Sequence, residues 1–203
     1  MIMSISIEQI KQLREETGAG VLDCRKALET YDGDFEKAIE YLREKGLAKA
    51  AKRADREVFE GMLELYSHGN GRVGVMVEVN CETDFVSRSA AFRKFAHEVA
   101  LQIAAGEPKW IKVEDIPAAV VEEESSKARS LALADGNPEN VVEKIVEGKL
   151  EKFFNENCLL RQTYVRDESI TLDDLRNQNI AAIGENIIIR RFARWEVGED
   201  AQS

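Results

Sequence analysis

Apolar residues recur at helical spacing through the first part of the chain. Ile7, Ile10 and Leu13 follow one another at three-residue steps, the mark of one helical face. Ser6 with Gln9 reads as a capping box that opens this helix, and Gly18 stands where a C-cap glycine belongs. Gly20 then releases a second helix with Val21, Cys24, Ala27, Leu28 and Tyr31 on one face. After the turn signal Asp32-Gly33, Asp34 caps a third helix. Its Phe35, Ala38, Ile39 and Leu42 keep the same period, and Gly46 is expected to end it. Residues 1–46 are therefore expected to form a small three-helix domain.

Residues 47–57 are alanine-rich and basic, with Lys49, Lys52, Arg53 and Arg56. They read as a solvated helical linker, with a nucleic-acid patch as the alternative. The period changes beyond Val58. Val73, Val75, Val77 and Val79 alternate with Gly74, Met76, Glu78 and Asn80, which is a strand. Residues 58–67 are expected to pair with it through a turn at His68-Gly69-Asn70-Gly71. Phe92, Phe95, Ala96, Val99 and Ile103 return to helical spacing, up to Gly106-Glu107-Pro108. Helices follow over about 118–135 and 138–157, then a short one near 172–182 capped by Thr171 with Asp174. An isoleucine-rich strand, 186–197, closes the chain. Helices and strands are segregated rather than alternating. The expected class is α+β, with a small three-stranded antiparallel sheet covered by helices in a core domain over 58–203.

Composition narrows the function. The chain has 203 residues, 44% hydrophobic and 33% charged, with a net charge of −10. A nucleic-acid binder needs a cationic surplus on at least one face, so direct nucleic-acid binding is not expected and a protein partner is. The three cysteines lie far apart with no CxxC pair, and there are two histidines. No metal site is expected, and the unpaired thiols suit a cytoplasmic location. No stretch has the length of a membrane span or of a signal peptide's apolar core.

Glycine-rich motifs fail on context. Residues 69–74 match GxGxxG, but a dinucleotide fingerprint needs a strand before it and a helix after it. Here a strand follows, so a hairpin turn explains the glycines better. Thr17-Gly18-Ala19-Gly20 joins two helices and lacks the Lys-Ser/Thr pair of a phosphate loop. Neither GxSxG nor HExxH occurs. No cofactor and no catalytic residue is expected. The unusual segment is Asn80-Cys81-Glu82-Thr83-Asp84-Phe85-Val86, which leaves a strand and enters a helix. Thr83 or Asp84 as a cap and Phe85 as core is the plain reading. The other is a wedge, a carboxylate beside an apolar ring on a rigid corner, a pairing common at binding hot spots. His68 sits at a hairpin tip, where side chains are offered to partners.

The run Glu-Val-Asn-Cys-Glu-Thr-Asp-Phe-Val over 78–86 strongly resembles a signature of translation elongation factor Ts. The stretch from Leu13 to Leu28, with Thr17-Gly18-Ala19-Gly20-Val21-Leu22-Asp23-Cys24-Arg25-Lys26-Ala27, resembles the family's other signature. Ile183-Gly184-Glu185-Asn186-Ile187, Arg190-Arg191-Phe192 and Glu196-Val197-Gly198-Glu199 are similar too. This resemblance implies a guanine-nucleotide exchange factor for elongation factor Tu, with no catalysis of its own. It implies that the three-helix domain is of the ubiquitin-associated type and docks through Arg14, Val21, Leu22 and Arg25. It implies that Thr83, Asp84, Phe85 and Val86 dislodge Mg²⁺ from the partner, with Ile183 and Gly184 near the same interface. Long members of the family have two core subdomains, whereas this chain has one and resembles the short form. The resemblance therefore implies a homodimer, with His68 acting on the partner from the other subunit.

Overall fold

A computed structural model describes residues 5–199. Helix α1, Ile7–Thr17, begins at Ser6 with a reciprocal capping box to Gln9 and ends at Gly18, whose φ of 64° is left-handed. Helix α2 is Val21–Thr30 and helix α3 is Phe35–Ala51, capped by the Asp34 carboxylate. Leu13, Cys24, Ala27, Leu28, Ala38 and Leu42 make one buried cluster between the three. Gly46 does not end α3. The residues after it, Leu-Ala-Lys-Ala-Ala, are strong helix formers and carry the helix one and a half turns further. There Gly46 faces the Ala181 side chain of a later helix. The expected linker is thus helical only to Ala51, and the chain turns through the rest.

Strands β1, Glu60–His68, and β2, Val73–Cys81, form the expected antiparallel hairpin. Its tip, Gly69-Asn70-Gly71, has positive φ at all three residues, as a tight reversal between twisted strands requires. A single-turn helix α4, Asp84–Ser87, precedes the long helix α5, Ala90–Gly106. Helices α6, Ala118–Ala134, and α7, Glu139–Asn157, form a hairpin with its own small apolar cluster. A short strand pair follows, β3, Thr163–Tyr164, and β4, Asp167–Thr171. Its brevity left no periodicity to read. Helix α8, Leu172–Ile183, starts at the Thr171/Asp174 capping box. Strand β5, Ile187–Glu196, closes the three-stranded sheet in the order β1-β2-β5.

Strand β2 is central, and its valines all point to one face, buried against α5. Strand β5 reaches the same face by a bulge. Its pairing shifts at Glu78/Val79, so Arg190 is an extra residue. That lets Ile187, Ile189 and Phe192 all join the core although their spacing is not strictly two. Helix α8 packs between α3 and α5 and so joins the first three helices to the sheet layer.

Candidate functional site

At Cys81 the chain leaves the sheet and turns into α4. Thr83 is the N-cap of this helix, its hydroxyl accepting from the Val86 amide at 3.4 Å. The cap half of the plain reading holds and the core half does not, because Val86 goes into the core while Phe85 goes out. Val86 is 8% exposed and Phe85 82%. The Asp84 carboxylate also faces solvent, paired with Arg88 one turn on. The corner thus presents an anion and an aromatic ring side by side.

The support beneath them is polar and comes from far along the chain. The Glu185 carboxylate accepts from the amides of Glu82 and Thr83, at 3.1 and 3.0 Å, and from the Thr83 hydroxyl at 2.6 Å. In return the Asn186 amide donates to the Glu82 carboxylate at 2.7 Å, and Arg56 donates to the same carboxylate. The buried Asn186 side chain donates to the carbonyls of Ala54 and Arg56. Beneath Thr83, the Cys81 thiol donates to the Thr83 carbonyl at 3.2 Å. Burial, and then the Glu185 charge, push that thiol's pKa up to about 11, so it stays a donor at neutral pH.

Ile183 and Gly184 stand directly before Glu185. Ile183 is half-buried against the main core, and Gly184 ends α8 in the left-handed region with φ 91°. The structure therefore brings 183–184 to the base of the 83–86 corner. Arg53, from the basic stretch, donates to the Gly184 carbonyl at 2.9 Å. Lys49 pairs with Asp23 and Arg56 with Glu82. Three cations of that stretch are thus paired with the chain's own acceptors.

The docking candidates are all exposed. Leu22 is 80% and Val21 51% exposed, and Arg14 and Arg25 also face solvent. Val21 does not share the buried face of Cys24 and Ala27. It occupies the first position of α2, where the face opens to solvent. Arg25 lies one turn from Val21, as an i, i+4 neighbour, and pairs with Glu29. Asp23, between them, binds Lys45 at 2.6 Å and Lys49 at 2.8 Å. These bonds pin α2 to α3 and hold the Asp23 carboxyl below its usual pKa.

His68 is elsewhere. It is exposed at the hairpin tip, with its Nδ1 3.0 Å from the Tyr66 hydroxyl. In the β1–β2 register it pairs with Val73, whereas Cys81 is at the other end of the ladder. The intervening strand spans roughly 26 Å at about 3.3 Å per residue. Within one chain His68 and Phe85 are not brought together. The sheet face between them, turned away from α5, carries Leu63, Leu65, Met76 and Trp195, all exposed.

A family model described as Elongation factor TS matches residues 7–199. The chain belongs to the elongation factor Ts family. Among its relatives, an elongation factor Ts of Caldanaerobacter subterraneus subsp. tengcongensis is 57% identical over 96% of this chain and 98% of its own length. Those of Carboxydothermus hydrogenoformans and Desulfosudis oleivorans are 55% and 54% identical, covering 96% and 97% of this chain and 90% and 99% of their own. As a member of this family, the protein is a nucleotide exchange factor for elongation factor Tu and not a catalytic enzyme. Among the described residues no helix is long and apolar enough to cross a membrane. The sequence motifs pointed to Phe85 but not to its brace. Glu185 and Asn186 bond to residues about a hundred positions away, and the one local signal was a polar pair set between a helix-ending glycine and a run of isoleucines.

Proposed function

We propose that the exchange is driven by the 83–86 corner acting as a wedge, while the patch of Arg14, Val21, Leu22 and Arg25 docks the partner's nucleotide-binding domain. In this reading residues 1–46 are a docking domain of the ubiquitin-associated type, 47–57 the connection, and 58–203 the core domain. The observation that carries it is Phe85, a large ring left 82% exposed on a corner braced by hydrogen bonds from 56, 81, 185 and 186. A ring in that position is anchored for a partner rather than for its own core. Asp84 beside it offers a carboxylate that competes for, or repels, the groups around a bound Mg²⁺-nucleotide. Ile183 and Gly184 back the same interface.

No bond is made or broken. The factor accelerates release only if it binds the nucleotide-free partner more tightly than the GDP·Mg²⁺ form, and linkage makes the weakening reciprocal. Each tenfold loss of nucleotide affinity needs about 1.4 kcal/mol of that preference. Titration calorimetry of the factor into both forms of elongation factor Tu tests this. Tighter binding to the nucleotide-free form is expected, and equal affinities would overturn it.

The second copy belongs to the same proposal. Leu63, Leu65, Met76 and Trp195 form an apolar sheet face that a two-fold pairing with another copy covers. With the paired strands running oppositely, the hairpin tip of one copy lies at the corner end of the other. His68 then reaches the partner from the second subunit, which accounts for its separation from Phe85 in one chain.

A further inference from the structure

Once the chain leaves β2 at Cys81, the amides of Glu82 and Thr83 have no strand to pair with and must find acceptors. One carboxylate supplies them. Glu185 Oε2 takes both amides and Oε1 takes the Thr83 hydroxyl. Bonds to an ionised acceptor are stronger than neutral ones. The same Thr83 oxygen accepts from Val86 and so starts α4. The direction of that single turn, and with it the aim of Asp84 and Phe85, is therefore set at Thr83. Glu185 is itself set from behind. It follows Gly184, whose left-handed conformation ends α8 and whose carbonyl is held by Arg53 at the end of α3.

We propose that Glu185 is a positioning residue for nucleotide exchange: its carboxylate fixes the orientation of the turn carrying Asp84 and Phe85, and Arg53 anchors it from the end of the docking helices. The inference rests on the wedge reading of Phe85. Glu185 touches no part of the partner in this account. It acts by ordering the corner before docking, so the ordering cost is not drawn from the binding preference that expels the nucleotide. A loosened corner still docks through α2, but it engages the nucleotide site less well. The loss falls on the maximal rate of GDP release at saturating factor, not on the affinity for the GDP-bound partner. A purely structural role predicts the opposite: fewer folded molecules, each exchanging at the native rate.

The test is a double-mutant comparison with stopped-flow release of labelled GDP from elongation factor Tu. Glu185→Ala should lower the saturating rate about tenfold, the worth of one ordered hydrogen-bond cluster. The affinity for the GDP-bound partner should stay within about twofold of native. Glu185→Gln keeps one oxygen for the two amides and should retain most of the rate. In a Phe85→Ala background, Glu185→Ala should cost clearly less than tenfold, because only the aim of Asp84 remains to be lost. A native rate for Glu185→Ala, a loss that multiplies with that of Phe85→Ala, or a loss seen only in docking affinity would each overturn the proposal. If Phe85→Ala itself exchanges at the native rate, the wedge reading fails. If Phe85→Ala is slow while Glu185→Ala is fast, only the positioning role fails. Should Glu185→Ala show no cooperative melt, Thr83→Val takes its place with the same expectation and the same refutation, since it removes the hydroxyl bonded to Glu185 and keeps the side chain's shape.

Discussion

Replacing Phe85 with alanine removes a ring that does little for the isolated fold. At 82% exposure it has few contacts to lose, and surface substitutions of this kind change stability by about 0.5 kcal/mol or less. Its value appears on docking. Burying an exposed phenylalanine is worth roughly 1.5–3 kcal/mol, which at about 1.4 kcal/mol per decade corresponds to one to two decades of exchange rate. The variant should therefore melt within a degree or two of native, since about 0.5 kcal/mol moves the midpoint little in a domain of this size. It should still bind the partner through α2, yet release labelled GDP about 10- to 100-fold more slowly at saturating factor. Stopped-flow fluorescence with a thermal melt on the same preparation measures both. Exchange at the native rate would refute the reasoning. So would a large fall in stability, because the ring would then be core.

Other substitutions separate the remaining parts. Arg25→Ala should weaken docking measured by calorimetry by about 1 kcal/mol, a truncated contact charge, while leaving the saturating GDP release rate near native; an unchanged affinity would count against the patch. Asp23 carries a carboxyl whose folded pKa lies below its unfolded value because Lys45 and Lys49 bond to it. Its contribution is present above the unfolded carboxyl pKa and is lost as the pH falls through the folded one. Asp23→Asn should thus cost about 1 kcal/mol in urea unfolding at pH 7 and progressively less as the pH falls below the ordinary carboxyl range; a cost that does not fall with pH would contradict the pairing. On the proposed pairing the native protein should sediment as a dimer and Trp195→Lys, which places a charge on the apolar sheet face, as a monomer with the melt preserved; a native monomer or an unchanged dimer would exclude that face.

Much of the fold could be read because its signals are local. The Ser6 and Thr171 capping boxes, the Asp34 cap, the Gly18 terminus and the Val73–Val79 alternation each need only a few neighbouring residues. The errors fall where tertiary context decides. Gly46 reads as a stop, but helix formers beyond it and a neighbour on α8 carry α3 past it. Val21 keeps the period of a buried face yet lies at a helix start where that face opens. The β3–β4 pair is too short to show a period. At the site, the Asp84-Phe85 pair was legible from residue type and from a strand–helix corner. That Phe85 points outward while Val86 points inward was not, since either could serve as core in the sequence alone. The brace itself was not legible, because Glu185 and Asn186 meet Glu82 and Thr83 only once β2 and β5 pair, and Arg56 reaches Glu82 from the stretch before β1.

The wedge reading makes one demand that docking alone does not. If Phe85 and Asp84 act by spoiling the partner's Mg²⁺ site, their contribution depends on Mg²⁺ being there. The decisive measurement is the rate of GDP release from elongation factor Tu at saturating factor, native against Phe85→Ala, in millimolar Mg²⁺ and again after chelation. The account predicts that the variant's deficit is large with Mg²⁺ and shrinks toward zero without it. An equal deficit under both conditions would contradict it.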